Sequence, residues 1–180
     1  MSKKVRERQQ SIFTKNILTR NIYIPFNSIG SNIKLNIKQV LEGKLYKKCC
    51  QEGYIKDNSI KILSYSSGIV SDVNVKFDVM FECLICRPVE GQLIECIVKN
   101  ITKAGIRAIY QNEEESPITI FIARDHHYNN EYFSSIKEKD VITTKVIGIR
   151  FELGDENISV LSELKIPTKK QQKVKISIIE

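Results

Sequence analysis

The sequence predicts an α+β unit in its first half followed by an all-β barrel of five strands, and three observations carry that reading. Residues 73–85 are apolar at every odd position (Val73, Val75, Phe77, Val79, Phe81, Cys83, Ile85), while the even positions begin polar (Asn74, Lys76, Asp78, Glu82). Strict period-two alternation over that length is a long half-buried strand. Ahead of it, Ile33, Ile37, Val40 and Leu41 recur at the spacing of one helical face. Behind it stand five strand-like runs with turn residues between them.

In chain order, residues 1–10 read as a frayed basic arm. A mixed stretch follows and ends in Asn21-Ile22-Tyr23-Ile24-Pro25, which suits a short strand stopped by proline. Residues 27–32 supply N-cap candidates, and Gly43 stands where a C-terminal cap glycine belongs, so a helix is expected at about 31–42. Residues 44–50 suit a second strand and 60–63 another, with turns at Gln51-Glu52-Gly53 and Asp57-Asn58-Ser59. Ser64-Tyr65-Ser66-Ser67-Gly68 is small, polar and flexible, a loop able to present backbone to a partner.

After the long strand, Arg87-Pro88-Val89-Glu90-Gly91 interrupts the pattern. Pro88 cannot donate to a ladder, so it marks an edge or the end of a sheet. The segment is expected to be a hinge between two sheets, dividing the chain into 11–88, 89–165 and a basic tail, 166–180. The later strands are expected at 91–99, 105–110, 118–123, 141–151 and 157–163, with one insert, 124–138, between the third and fourth. Five strands with an insert at that point is the order of a Greek-key barrel of the oligonucleotide-binding type. The Lys- and Gln-rich tail is expected to be partly disordered, although its alternation at Val174-Lys-Ile-Ser-Ile-Ile also suits an edge strand or a docking segment.

Composition narrows the function. No apolar run approaches a membrane span, and the N-terminal residues lack an apolar signal core, so no membrane partner is expected. Five cysteines, an odd number without framework spacing, suit a reducing compartment. The net charge of +7 is unevenly spread: residues 1–88 hold 15 basic against 7 acidic, 89–165 hold 9 against 13, and 166–180 hold 4 against 1. The positive charge invites a nucleic-acid reading, tempered by its distribution: the basic excess sits in the first half and the tail, and the second half is mildly acidic.

No enzyme constellation emerges. The chain has no glycine-rich phosphate loop, no H-E-x-x-H, no nucleophile motif and no carboxylate cluster for two-metal chemistry. Cys83-Leu-Ile-Cys86 has the spacing of half a zinc site, but in a strand its two thiols face opposite sides, and adjacent Cys49 and Cys50 make poor companions. No cofactor or metal is expected. The run Glu113-Glu114-Glu115 reads as a solvated hairpin tip, and His126 and His127 as a solvated loop.

Glu42-Gly43, Gly53-Tyr54-Ile55, Lys76-Phe77-Asp78-Val79, Arg87-Pro88-Val89-Glu90-Gly91 and Lys103-Ala104-Gly105-Ile106 occur in the order and spacing of one family. The chain resembles the seventh-largest subunit of eukaryotic RNA polymerase II and its archaeal counterpart, the larger half of the polymerase stalk, from about Ile12 to Leu164. The run Val146-Ile-Gly-Ile-Arg-Phe-Glu-Leu looks most like versions from large cytoplasmic DNA viruses. The resemblance implies an N-terminal truncated ribonucleoprotein-like domain and a C-terminal oligonucleotide-binding barrel. It implies a non-catalytic subunit whose tip plugs into the polymerase core, with a smaller helical partner alongside and the barrel near the exiting transcript. It implies an intracellular location: virion and host cytoplasm if viral, otherwise the nucleus.

Carried onto this sequence, the tip region matches Gly53, Tyr54 and Ile55 with the loop Ser66, Ser67 and Gly68; as plain residues these are equally ordinary turns. For weak contact with single-stranded RNA the candidates are Lys103, Arg107, Tyr110, Phe121, Arg124 and His126, aromatics stacking on bases while cations meet phosphates. Phe121 reads equally as a core residue. Ile106 departs from the family, which commonly has an aromatic residue after the glycine. The rival reading is a free-standing RNA-binding protein of translation or RNA turnover, where such barrels recur alone.

Overall fold

A computed structural model of the chain describes residues 11–30, 32–110, 116–128 and 130–166. The first half forms β1 (Phe13–Pro25), α1 (Ile33–Leu45), β2 (Cys49–Cys50), β3 (Gly53–Ile55), β4 (Lys61–Tyr65), β5 (Ile69–Ser71) and β6 (Asn74–Cys86). The alternating run is β6, and the sheet is organised on it. β1 pairs antiparallel with β6 along its whole length, from Phe13 opposite Cys86 to Pro25 opposite Asn74. The other edge of β6 takes β5, β4 and β3 in succession, and β2 pairs with β3 beyond.

The odd side chains of β6 from Val75 to Ile85 are buried against α1, whose Ile37 and Leu41 pack on Ile22, Ile24, Phe77, Val79 and Phe81. That is the stripe on α1 meeting the period-two face of β6.

The second half forms β7 (Leu93–Ile101), β8 (Gly105–Tyr110), β9 (Ile118–Ala123), α2 (Glu131–Ser135), β10 (Val141–Arg150) and β11 (Ile158–Leu164). They close into a barrel in the order β10–β11–β9–β8–β7 and back to β10. β9 and β11 run parallel, and every other junction is antiparallel. The insert is a short 3-10 turn, Arg124–His127, followed by α2, where Asn130 caps the helix by accepting from the N–H groups of Tyr132 and Phe133. The change of sheet falls between Cys86 and Leu93, around Pro88.

The barrel is filled by alternate residues of its strands, among them Ile94, Cys96, Val98, Ile106, Ala108, Ile118, Ile120, Ile122, Val146 and Val160. The same cluster takes in Ile12, Cys49, Tyr54 and Cys86 from the first half, so the two sheets share one apolar contact zone. Cys83 is buried under α1 and Cys86 in the barrel cluster, so the two thiols of the C-x-x-C run lie in different cores. All five thiols are free and buried.

Several expectations need correction. The first strand is 13 residues long, not a short one. It reads as mixed because its α1 side carries Asn16 and Arg20 among the apolar residues, Arg20 paired with Glu52 at 2.5 Å. The helix starts later than expected and runs through Gly43, which has no positive φ, to Leu45. Leu45 and Tyr46 pack on the core beneath α1, and that packing outweighs the roughly 1 kcal/mol helix penalty of glycine. This takes Lys44 and Leu45 out of the expected strand at 44–50, of which only Cys49–Cys50 remains. The loop expected at 64–68 is shorter, because Ser64 and Tyr65 belong to β4. β5 is an additional strand, turned into β6 through Asp72 at φ 52°. His127 is buried rather than solvated: its Nε2 accepts from the Leu164 N–H at 2.8 Å, so Nδ1 carries the proton and donates to the Ala123 carbonyl at 2.9 Å. The expectations for 1–10, Glu113-Glu114-Glu115 and the tail beyond Ile166 lie outside the described residues.

Candidate nucleic-acid interface and docking surface

On β8 the residues Ile106, Ala108 and Tyr110 point into the barrel, so Arg107 and Ile109 point out. On β9, Ile118, Ile120 and Ile122 point in, so Thr119 and Phe121 point out. Arg107 stands directly opposite Phe121, with Asn100 of β7 on one side of the pair and Leu161 of β11 on the other. A cation and an aromatic ring thus sit side by side on the outer wall. Phe121 is 37% exposed and is not a core residue. Gly105 makes room for it. A Cβ there would clash with the Ile122 carbonyl oxygen and stand 3.1 Å from the Phe121 ring edge.

Lys103 and Arg124 lie at one end of this wall, exposed, and line an open groove of about 560 Å³ with Ile101 and Thr102. Arg124 is already engaged: its Nε donates to the Lys103 carbonyl at 2.9 Å, Nη2 to the Thr102 carbonyl at 3.2 Å, and its guanidinium lies over the Phe133 ring. It braces the β7–β8 turn and leaves Lys103 as the freer cation. His126 is exposed beside it. Tyr110 is only 8% exposed and belongs to the barrel core, so it cannot stack on a base. Parity with Ile106 and Ala108 is the signal in the sequence for that. Ile106 is fully buried, so a ring at that position would not reach the outer wall either.

The residues matched to a docking tip separate. Gly53, Tyr54 and Ile55 form β3 and are buried, Tyr54 in the barrel cluster and Ile55 under α1. Gly53 has φ +136°, and a Cβ there would lie 2.5 Å from the Cys86 carbonyl oxygen. These three residues position the sheet rather than face a partner. Ser67 and Gly68 are exposed and Ser66 is half-buried. Ser66 ties the β4–β5 loop to β6, its hydroxyl accepting from the Asp78 N–H at 3.0 Å.

Beside that loop, the end of the sheet carries an apolar surface that the sequence reading missed. Tyr23 and Ile69 flank Lys76 on the face away from α1. Phe26 follows β1, its N–H bonded to the Val73 carbonyl, and Phe26, Ile69, Val70 and Val73 are each more than half exposed. The alternation places Val73 in the buried stripe, but β6 begins one residue later. An exposed apolar group of this size at the edge of a sheet is a feature of interaction surfaces.

Among the described residues, no three His, Cys, Asp or Glu side chains gather as a metal-ligand set. No helix among them is long and apolar enough to cross a membrane.

The fold and this surface define a protein built on a closed five-stranded barrel consistent with the oligonucleotide-binding fold, joined to a helix-covered sheet. Its relatives are subunits of DNA-directed RNA polymerases. The chain is 25% identical over 169 residues to a protein of Acanthamoeba polyphaga mimivirus named as a putative DNA-directed RNA polymerase subunit, L376, covering 87% of this chain and 83% of that one. It is 26% identical over 111 residues to DNA-directed RNA polymerase II subunit 7 of Arabidopsis thaliana, covering 60% of each. It is 26% identical over 110 residues to subunit RPB7 of Glycine max, covering 59% of each. The resemblance read from the sequence therefore holds, and the mimivirus relative supports its viral version. No protein-family model matches the chain. Among solved structures, the solution structure of GSP13 from Bacillus subtilis aligns with a TM-score of 0.36 at 15% identity, covering 52% of this chain and 75% of that one.

Proposed function

We propose that this chain is a non-catalytic stalk subunit of a DNA-directed RNA polymerase, docking to the polymerase core through its first half and holding its barrel beside the exiting transcript. The observation that carries the reading is the likeness to a viral polymerase subunit across most of both chains. In this reading residues 11–88 are a truncated ribonucleoprotein-like domain and 89–165 the RNA-facing barrel. The docking surface is the apolar end of the sheet, Tyr23, Phe26, Ile69, Val70 and Val73, with the loop Ser66, Ser67 and Gly68. This replaces the buried Gly53, Tyr54 and Ile55. The partners are core polymerase subunits and a smaller helical subunit. RNA is met weakly by Arg107, Phe121 and Lys103, with His126 at the margin. The location is intracellular, in virion and host cytoplasm for a viral version.

Capture of the tagged full chain at moderate salt, read by mass spectrometry, tests this. The expected result is a set of large polymerase core subunits at constant ratio. Recovery of ribosomes or RNA-decay factors instead would replace it with the free-standing RNA-binding reading.

A further inference from the structure

A second surface lies on the first half, apart from both the apolar end and the barrel wall. Between the opening turns of α1 and strand β4 runs a groove of about 490 Å³, lined by Asn32, Lys34, Leu35, Lys38 and the Ile60-Lys61-Ile62 segment. Ile60 and Ile62 are buried and Leu35 is half exposed, which makes an apolar floor. Lys34, Lys38 and Lys61 are all exposed. Lys38 shares Glu42, whose carboxylate also accepts from the Tyr46 hydroxyl. Lys61 stands opposite Glu82, but Glu82 is taken by Lys15 at 3.0 Å. Among the described residues, neither Lys34 nor Lys61 has a carboxylate partner.

The strand beside the groove has a free edge. β4 is bonded to β6 along one side and, among the described residues, to no strand along the other. Backbone N–H and C=O groups on such an edge are a template for an incoming strand. An extended peptide adds there through main-chain hydrogen bonds, and its alternate side chains fall to opposite sides.

We propose that this groove takes an extended acidic polypeptide segment, in which aliphatic side chains facing α1 rest on Leu35, Ile60 and Ile62, the alternate carboxylates meet Lys61 on the other face of β4, and Lys34 and Lys38 add attraction from the α1 side. Charge decides the occupant. The half of the chain that holds the groove carries 15 basic against 7 acidic residues, so a second copy is repelled and an acidic segment attracted. Single-stranded RNA is the poorer fit, because no aromatic ring lines the groove to stack on a base. The inference stands on this geometry alone, whether or not the polymerase reading holds.

The test uses isotope-labelled full-length protein and a short synthetic peptide alternating Glu and Val, with a Lys/Val counterpart as control. The expected result is saturable shifts at Leu35, Ile60, Lys61 and Ile62, with affinity that falls as salt is raised. N-methylation of alternate peptide amides is expected to abolish binding, because it removes the ladder donors. Lys61→Glu is expected to weaken binding roughly tenfold without loss of fold, and the exposed pair Lys34→Glu and Lys38→Glu to weaken it less, through the local field alone. Equal binding of the basic peptide, shifts confined to the barrel, concentration-dependent shifts of these residues without peptide, or an RNA oligonucleotide moving the same signals would each overturn the proposal.

Discussion

Cys49 donates its backbone N–H to the carbonyl of Asp155 at 2.8 Å, and the Cys49 carbonyl in turn accepts from the Gly154 N–H at 2.9 Å. A strand of the first sheet is thereby stitched to the turn between β10 and β11 of the barrel. The side chains agree with the backbone, because Cys49, Tyr54 and Cys86 all pack into the barrel cluster. Two units joined by polar bonds and a shared apolar contact unfold as one.

Calorimetry of the full chain is therefore expected to show a single cooperative transition. Tyr54→Ala opens a hole in the shared zone, and the expected cost is about 3–5 kcal/mol, the range for truncating a buried aromatic ring. Two separate transitions in the unmodified protein would show that the stitch between Cys49 and Asp155 holds nothing together.

Gly53→Ala should be costly although it adds one methyl group. The site is at φ +136°, and the new Cβ meets the Cys86 carbonyl oxygen at 2.5 Å and the Ile85 side chain at 3.0 Å. Strain and overpacking together give roughly 2–4 kcal/mol. Gly43→Ala is the internal control: it lies within α1 with open space around it and should stabilise by about 0.5–1 kcal/mol. Denaturant midpoints of the two variants should move in opposite directions.

Alkaline pH should destabilise the fold through its buried thiols. Burial pushes Cys96 up to about 12, against the opposing hydrogen bond from Thr144. Burial, then the Asp155 and Cys50 charges, pushes Cys49 to about 12, and burial with Cys50 pushes Cys83 to about 11. Below pH ~8.5 folded and unfolded chains both keep these protons, so the thiols add no slope. Above it the unfolded chain releases them and the folded chain does not. Stability then falls by up to about 1.4 kcal/mol per pH unit for each thiol until the folded value is passed. Unfolding followed from pH 7 to 11 should be flat and then decline, and Cys96→Ala should make the decline shallower. An unchanged slope in that variant would mean that Cys96 ionises freely in the native state.

Much of the fold was legible because its signals are local. β6 announces itself by alternation, β8 and β9 fall where their apolar parity puts them, and Pro88 marks the change of sheet. The stripe on α1 marks the helix but not its ends, since Leu45 and Tyr46 are held by tertiary packing that no local pattern records. The pairing of β3 with the far end of β6 is equally non-local, so Gly53-Tyr54-Ile55 looks like an accessible turn in the sequence. The candidate wall was half legible: the parity that hides Tyr110 and exposes Phe121 is written in Ile106, Ala108, Ile118, Ile120 and Ile122. The engagement of Arg124 with two carbonyls depends on a turn about 20 residues away and leaves no mark in its own segment.

That difference between Tyr110 and Phe121 supplies the sharpest check on RNA contact. Phe121 is on the outer wall and only partly buried, so Phe121→Ala should cost about 1–2 kcal/mol, less than truncation of a core ring. It should weaken binding of a short single-stranded RNA by about fivefold or more, the effect of losing one stacking platform. Arg107→Ala should weaken it as well and lower the slope of log K against log salt by about 0.7, one phosphate contact fewer. Tyr110→Ala should instead destabilise the barrel by about 3–5 kcal/mol, with RNA affinity unchanged wherever the variant is folded. Anisotropy titrations at several salt concentrations, paired with thermal melts, separate these outcomes. Equal affinity of the Phe121→Ala and unmodified proteins for RNA would remove the β8–β9 wall from any part in holding the transcript.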